Sequence, residues 1–294
     1  MRRSAAGELF LIATPIGNLS DITMRALETL RTVDLVAAED TRTARKLFSR
    51  YQITTSLISL HDNSSAKRLD DLLKKLQDGE ALGVISEAGT PGISDPGYRL
   101  IQMAAEAGIR ITPLPGACAA VAALCASALP LDSFYFAGFL PPRPGPRQRR
   151  LESLQDIEAT LIFYESPRRL NSTLEALQKV LGDRPACVAR ELTKIHEEFL
   201  RFPLSHLRTL GSERDWRGEI TLLVAGCDLE SRSRDPQILL EEEAKLQTRL
   251  NDPDFVKGRS NRDLVEIMLA EFPLLKRRRI YEIVLSFTPY AHSE

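Results

Sequence analysis

Short apolar runs alternate with amphipathic stretches through the first two-thirds of the chain. Residues 9–13, 34–38, 56–60 and 82–85 are rich in Leu, Ile, Val and Ala, as strands buried on both faces require. Between them, residues 22–32, 41–50 and 66–77 place apolar side chains at helical spacing among polar ones. A helix over 98–107 and a strand over 109–111 continue the alternation. This βαβα rhythm predicts an α/β fold with a largely parallel sheet and helices on both faces.

Residues 139–146 interrupt the pattern with four prolines and a glycine, Phe139-Leu140-Pro141-Pro142-Arg143-Pro144-Gly145-Pro146. Such a run predicts neither helix nor central strand and reads as a linker. The expected division is an N-terminal α/β domain over 1–138 and a second over 139–227. The second has strands near 160–164, 186–189 and 219–225 and a helix near 168–181. A helical domain over 228–294 follows, with helices over 236–250, 261–271 and 276–286, the last two arranged like a helix-turn-helix.

Composition narrows the function classes. Of 294 residues, 43% are hydrophobic and 27% charged, ordinary globular usage that excludes a disordered or fibrous chain. The net charge of −1, from 39 basic and 40 acidic residues, excludes a protein that grips nucleic acid by bulk charge. Any such partner must meet local clusters. Arg143, Arg147, Arg149 and Arg150 fall in a stretch without acids, and Lys276, Arg277, Arg278 and Arg279 are consecutive. The four cysteines form no Cys-x-x-Cys pair, so neither a disulfide scaffold nor a zinc site is expected. The apolar stretches at 9–13 and 117–129 are too short for a signal sequence and a bilayer span, which predicts a cytoplasmic protein.

Familiar catalytic signatures are missing. The chain has no phosphate-binding Gly-x-x-x-x-Gly-Lys loop and no Gly-x-Gly-x-x-Gly. Gly92-Ile93-Ser94-Asp95-Pro96-Gly97 departs from a nucleophile elbow by one position, and Ser64-Ser65-Ala66-Lys67 lacks the companion motifs of a serine acyltransferase. The strongest ligand signal is the long loop Ser86-Glu87-Ala88-Gly89-Thr90-Pro91-Gly92-Ile93-Ser94-Asp95-Pro96-Gly97. It follows a buried strand, and ligands of open α/β sheets sit beyond the carboxyl ends of strands. Thr14-Pro15-Ile16-Gly17-Asn18 and Pro113-Leu114-Pro115-Gly116 also follow strands. Two later strand ends gather ionisable groups: Tyr164-Glu165-Ser166-Pro167-Arg168-Arg169 and Arg190-Glu191-Leu192-Thr193-Lys194. Each is either a site or a solvated rim.

These segments, with Ala38-Glu39-Asp40-Thr41-Arg42 and Phe139-Leu140-Pro141, together resemble the tetrapyrrole methylase superfamily over about residues 7–226. Within it they are similar to the branch that modifies ribosomal RNA. Pro15-Ile16-Gly17-Asn18 is not the Gly-Pro-Gly-Asp of the porphyrin-modifying branch. Glu87 stands where the family often has Asp, and Arg217-Gly218-Glu219 is close to its Lys-Gly-Glu.

The resemblance implies two α/β domains of tetrapyrrole methylase type with a cofactor cleft between them, plus a C-terminal helical appendage, in a homodimer. It implies S-adenosyl-L-methionine as cofactor, and 2′-O-methylation of a cytidine in 16S rRNA of the small ribosomal subunit as the reaction. By matching positions it assigns cofactor contact to Pro15, Gly89, Thr90, Ile93, Cys118, Ala119, Tyr164, Glu165 and Leu192. A ribose hydroxyl needs a general base. The candidates are Glu87, Asp95, Glu165 and Glu191, with Lys194 or Arg190 to stabilise the oxyanion; a structural Glu191–Lys194 ion pair is the alternative. The 143–150 and 276–279 clusters are the expected RNA contacts. Two other functions remain open, methylation of a tetrapyrrole precursor and non-catalytic nucleic-acid binding.

Overall fold

The computed structural model describes residues 7–61, 64–94, 97–228 and 236–287. Five strands form the first sheet: β1 (Glu8–Ile12), β2 (Leu35–Ala38), β3 (Leu57–Ser59), β4 (Leu82–Ile85) and β5 (Arg110–Leu114). Their order is β3-β2-β4-β1-β5 and every pair is parallel, as the alternating pattern requires. Helices α1 (Met24–Thr32) and α2 (Thr41–Tyr51) cover one face, where Leu30, Leu47 and Phe48 pack on Ile12 and Val36. Helices α3 (Ala66–Gln77) and α4 (Tyr98–Glu106) cover the other, packing Leu72 and Leu100 on Leu9 and Val84. Residues of β4 are buried on both faces, which is why that strand reads as an unbroken apolar run.

The second sheet comprises β6 (Phe134–Phe139), β7 (Thr160–Glu165), β8 (Pro185–Arg190), β9 (Glu198–Pro203) and β10 (Ile220–Val224), in the order β6-β7-β10-β8-β9. Only β6 and β7 run parallel; the other pairs are antiparallel, so the expectation of a parallel sheet holds for the first sheet alone. Helices α6 (Pro144–Glu152), α7 (Pro167–Leu181) and α8 (Leu204–Ser212) close one face around Phe163, Leu174 and Leu207. The other face receives α5 (Ala119–Cys125), with Ile16 from the loop after β1 in the same apolar cluster.

Two corrections follow. Residues 139–146 are not a linker: β6 ends at Phe139 and α6 begins at Pro144. Proline is tolerated in the first turn of a helix, where its missing N–H has no partner to lose. The second sheet therefore starts at Phe134, ahead of the expected boundary at 139. In addition, β9 and α8 went unanticipated, because Glu198-Phe199-Leu200-Arg201-Phe202-Pro203 mixes charge and aromatics on an edge strand.

The chain divides into two compact units, one ending at Ala225 and one beginning at Gly226, and both sheets lie in the first. The second unit holds α9 (Pro236–Leu250), α10 (Pro253–Val256), α11 (Asn261–Glu271) and α12 (Arg277–Phe287) around Leu246, Phe255, Leu264, Met268 and Ile280. A reciprocal cap of Ser260 and Asp263 starts α11. Among the described residues, no helix is long and apolar enough to cross a membrane, and no cluster of His, Cys, Asp and Glu could hold a metal ion.

Candidate active site

The loops after β1 and β4 are joined by backbone. Thr14 N–H donates to the Gly89 carbonyl and Gly89 N–H to the Thr14 carbonyl, both at 2.9 Å. The buried Thr14 hydroxyl lies 3.4 Å from the Ser86 carbonyl, and the Ser86 hydroxyl donates to the Gly89 carbonyl at 3.0 Å. Gly89 takes φ +85°, a left-handed conformation that favours glycine. Thr90 then donates to the Ala117 carbonyl at 3.2 Å, tying this loop to the entry of α5.

A cavity of about 420 Å³ opens beside these loops. From the loop after β4 it receives Glu87, Gly89, Thr90 and Ile93, and from the start of α5 Cys118 and Ala119. Tyr164 and Glu165 at the end of β7, and Leu192 after β8, form the opposite side. Eight of the nine residues that the resemblance assigned to the cofactor thus share one cavity. Pro15 does not line it; the buried Ile16 takes its place beside the backbone bridge. Sequence reasoning missed Ser166, Gly218, Glu219 and Thr221, supplied by the start of α7 and by β10 with its lead-in. The signal was present in Arg217-Gly218-Glu219, noted only for its likeness to the family's Lys-Gly-Glu.

The lining has a distinct charge. Glu87, Glu165 and Glu219 contribute carboxylates, and among the described residues no Lys, Arg or His lines the cavity. Ile16, Ala88, Ala119, Leu192 and Ile220 supply apolar surface. Such a lining suits a ligand with a flat apolar part and positive charge, and among the described residues it brings no cationic side chain to a phosphate.

The candidate bases separate by their partners. The Glu165 side chain is 1% exposed and fully engaged: Thr173 donates to Oε2 at 2.6 Å, Ser166 N–H to Oε1 at 2.8 Å, and Arg169 Nε sits 3.3 Å from Oε1. It anchors the start of α7 and is not placed as a base. Glu191 accepts from Lys194 Nζ at 2.8 Å and from Glu219 N–H at 3.0 Å. The Lys194 bond holds its carboxyl below the ordinary value, against partial burial. Partial burial works against the Lys194 charge, yet its bonds to Glu191 and Glu219 leave that ammonium above its ordinary value. Lys194 Nζ reaches Glu219, which lines the cavity, at 3.1 Å; neither Lys194 nor Glu191 lines it. The ion-pair alternative for these two is what the structure contains. Arg190 pairs with Glu198 at 3.1 Å, away from the cavity. Glu87 alone of the described candidates is exposed, lines the cavity and makes no hydrogen bond among the described residues. Asp95 lies outside the described residues.

The expected RNA contacts also divide. Arg143, just ahead of α6, and Arg149 on it are exposed. Arg147 is buried, donating to the Ser172 hydroxyl at 3.1 Å, so it packs α6 on α7 instead of facing a phosphate. Arg150 donates to the Tyr135 hydroxyl at 3.0 Å. In the helical unit Arg277 pairs with Glu266 and Arg278 with Glu282, while Arg279 binds both oxygens of Glu243 at 2.6 Å. That bidentate bond raises the Arg279 pKa further, and the residue serves as a tie between α9 and α12.

Residues 8–208 match the family model of tetrapyrrole (corrin/porphyrin) methylases. The chain belongs to the tetrapyrrole methylase family. Curated relatives named ribosomal RNA small subunit methyltransferase I are similar along most of its length. The one from Synechocystis sp. is 46% identical over 280 residues, covering 95% of this chain and 98% of that protein. The one from Micromonospora olivasterospora is 42% identical, covering 96% and 87%. Among solved structures, cobalt precorrin-4 methyltransferase matches with a TM-score of 0.56 at 18% identity, covering 74% of this chain and 94% of that one. Diphthine synthase matches with 0.58 at 13%, covering 74% and 90%. These two show the shared fold. This tetrapyrrole methylase is a methyltransferase, and the methyl donor of its family is S-adenosylmethionine. A cavity lined by carboxylates and, among the described residues, by no cationic side chain fits that sulfonium compound.

Proposed function

We propose that this tetrapyrrole methylase transfers a methyl group from S-adenosylmethionine to the 2′-oxygen of a cytidine in 16S rRNA of the small ribosomal subunit, as a cytoplasmic homodimer. The observation that carries the reading is similarity to the ribosomal RNA methyltransferases over 95–96% of the chain. The corrin and diphthine neighbours cover about three-quarters of it at far lower identity.

The donor supplies an activated methyl group on a positively charged sulfur. The chain's own residues bind and orient it. Ile16, Ala119 and Leu192 offer apolar surface to its adenine. The small side chains of Cys118 and Ala119 leave the α5 entry backbone close to the cavity. The lining carboxylates favour its positive end. Holding nucleophile, methyl carbon and sulfur in line removes much of the entropic barrier. Glu87 is the residue assigned to take the ribose hydroxyl proton, because its carboxylate is exposed at the cavity and uncommitted.

The test is methyl transfer from labelled donor to small subunits purified from cells lacking the modification, followed by mapping. A labelled 2′-O-methylcytidine in 16S rRNA is expected. Label on a base, or only on a tetrapyrrole precursor offered in parallel, overturns the reading. Mass measurement in solution tests the dimer.

A further inference from the structure

Helix α2 carries Arg42, Arg45, Lys46 and Arg50 and no acidic residue. Its buried side chains, Ala44, Leu47 and Phe48, fix how the helix is rotated on the first sheet. The four cations consequently share the exposed face, at positions i, i+3, i+4 and i+8. Like charges at such spacing weaken an isolated helix by a few tenths of a kcal/mol per pair, about as much as opposite charges strengthen it. Elsewhere the chain relieves this: Arg277, Arg278 and Arg279 each face a glutamate. On α2 only Arg42 does, through Asp40 at 2.9 Å. Arg45, Lys46 and Arg50 form no ion pair among the described residues, and Arg50 merely lies 5.9 Å over the Tyr51 ring. In a protein of net charge −1, this is a local concentration of unspent positive charge.

The stripe begins at the site. β2 leads into α2, and Ala38 of β2 pairs with Ile85, the last residue of β4. The loop after β4 supplies Glu87 to the cavity. Arg42 is held charged chiefly by its hydrogen bond to Asp40, with the charge of Glu87 adding to the effect.

We propose that the exposed face of α2 binds the phosphate backbone of the RNA substrate and leads it to the Glu87 edge of the cavity. This rests on the ribosomal RNA reading. Neutral phosphate-free acceptors would gain nothing from such a stripe, whereas a nucleic-acid backbone gains affinity through released counterions.

The experiment compares the full chain with the triple variant Arg45→Gln, Lys46→Gln, Arg50→Gln, with Lys46→Gln alone, and with a control that removes two cations elsewhere, Lys179→Gln with Arg208→Gln on exposed positions of α7 and α8. Glutamine preserves helix propensity. Binding to unmodified 16S rRNA is measured across salt concentrations, and donor binding by calorimetry. The triple variant should lose roughly 10-fold or more in RNA affinity, with a log–log salt slope lower by about 2 to 3. The single variant should lower it by about 1. Donor affinity should stay at the wild-type value. Wild-type RNA affinity and slope in the triple variant, or an equal loss in the control, overturns the proposal. Failure of the parent reading shows separately, as a wild-type protein that neither binds nor methylates the RNA.

Discussion

The backbone N–H of Ala120 donates to the phenol oxygen of Tyr164 at 3.2 Å. This bond ties the first turn of α5 to the end of β7 across the cavity wall, and Phe136 and Phe139 pack edge-on against the same ring.

Tyr164→Phe should therefore keep the aromatic packing and lose the acceptor. A hydrogen bond of this kind contributes about 1 kcal/mol to folding, so the melting temperature should fall by about 2–4 °C, and the donor dissociation constant should rise because Ala119 and Tyr164 line the cavity. Calorimetric titration with S-adenosylmethionine checks it; unchanged affinity would show that α5 is held in place without this bond.

Glu87→Gln removes the proposed base and keeps the side chain's size. The turnover rate at saturating donor should fall by roughly 10² to 10⁴-fold, far more than donor affinity changes. A turnover within a few-fold of wild type would reassign the base.

Gly218 has φ +84°, and a Cβ there would run into the Glu191 carboxyl group. Gly218→Ala should displace the Glu191 side chain and strain the turn, costing about 1–3 kcal/mol. For a unit of this size that lowers the melting temperature by several degrees. Scanning calorimetry gives the shift, and donor affinity should weaken with it, because Gly218 and Glu219 line the cavity.

The Glu191–Lys194 pair predicts a pH window. The Glu191 pKa lies below its ordinary 4.5, so its stabilisation is complete above that pH and is lost as the pH falls through the lowered value. Lys194 lies above its ordinary 10.5, so its share is complete below that pH and is lost as the pH rises further. Glu191→Gln should accordingly lower the urea midpoint at pH 7, and the gap to wild type should narrow as the pH falls through the lowered Glu191 value. A gap that stays constant with pH would assign the effect to packing.

Much of this protein was written locally. The parallel strands β1, β2 and β4 declare themselves because burial on both faces demands consecutive apolar residues, and α2 and α3 because one buried face demands helical spacing. The glycine-rich loop after β4 announces a site through backbone conformations that other residues resist. The edge strand β9 escapes such reading: it is only half-covered, so its sequence is mixed. The proline run before α6 misleads for a related reason, since a first helical turn makes no use of the missing donors.

The division of labour among charged residues was decided only in three dimensions. Glu87, Glu165 and Glu191 are the same side chain at the same kind of strand end. Thr173, Ser166 and Arg169 claim the second, Lys194 claims the third, and the first stays open to the cavity. Likewise Arg147 reads as a surface cation and is buried against α7, while the bare stripe on α2 emerges once Leu47 and Phe48 fix which face meets solvent. The sequence determined which segments become strands, helices and ligand loops, because those depend on near neighbours. Which charges stay free depends on side-chain geometry, with some partners close in sequence, such as Lys194 for Glu191, and others distant, such as Ser172 for Arg147, and only the folded structure decides among them.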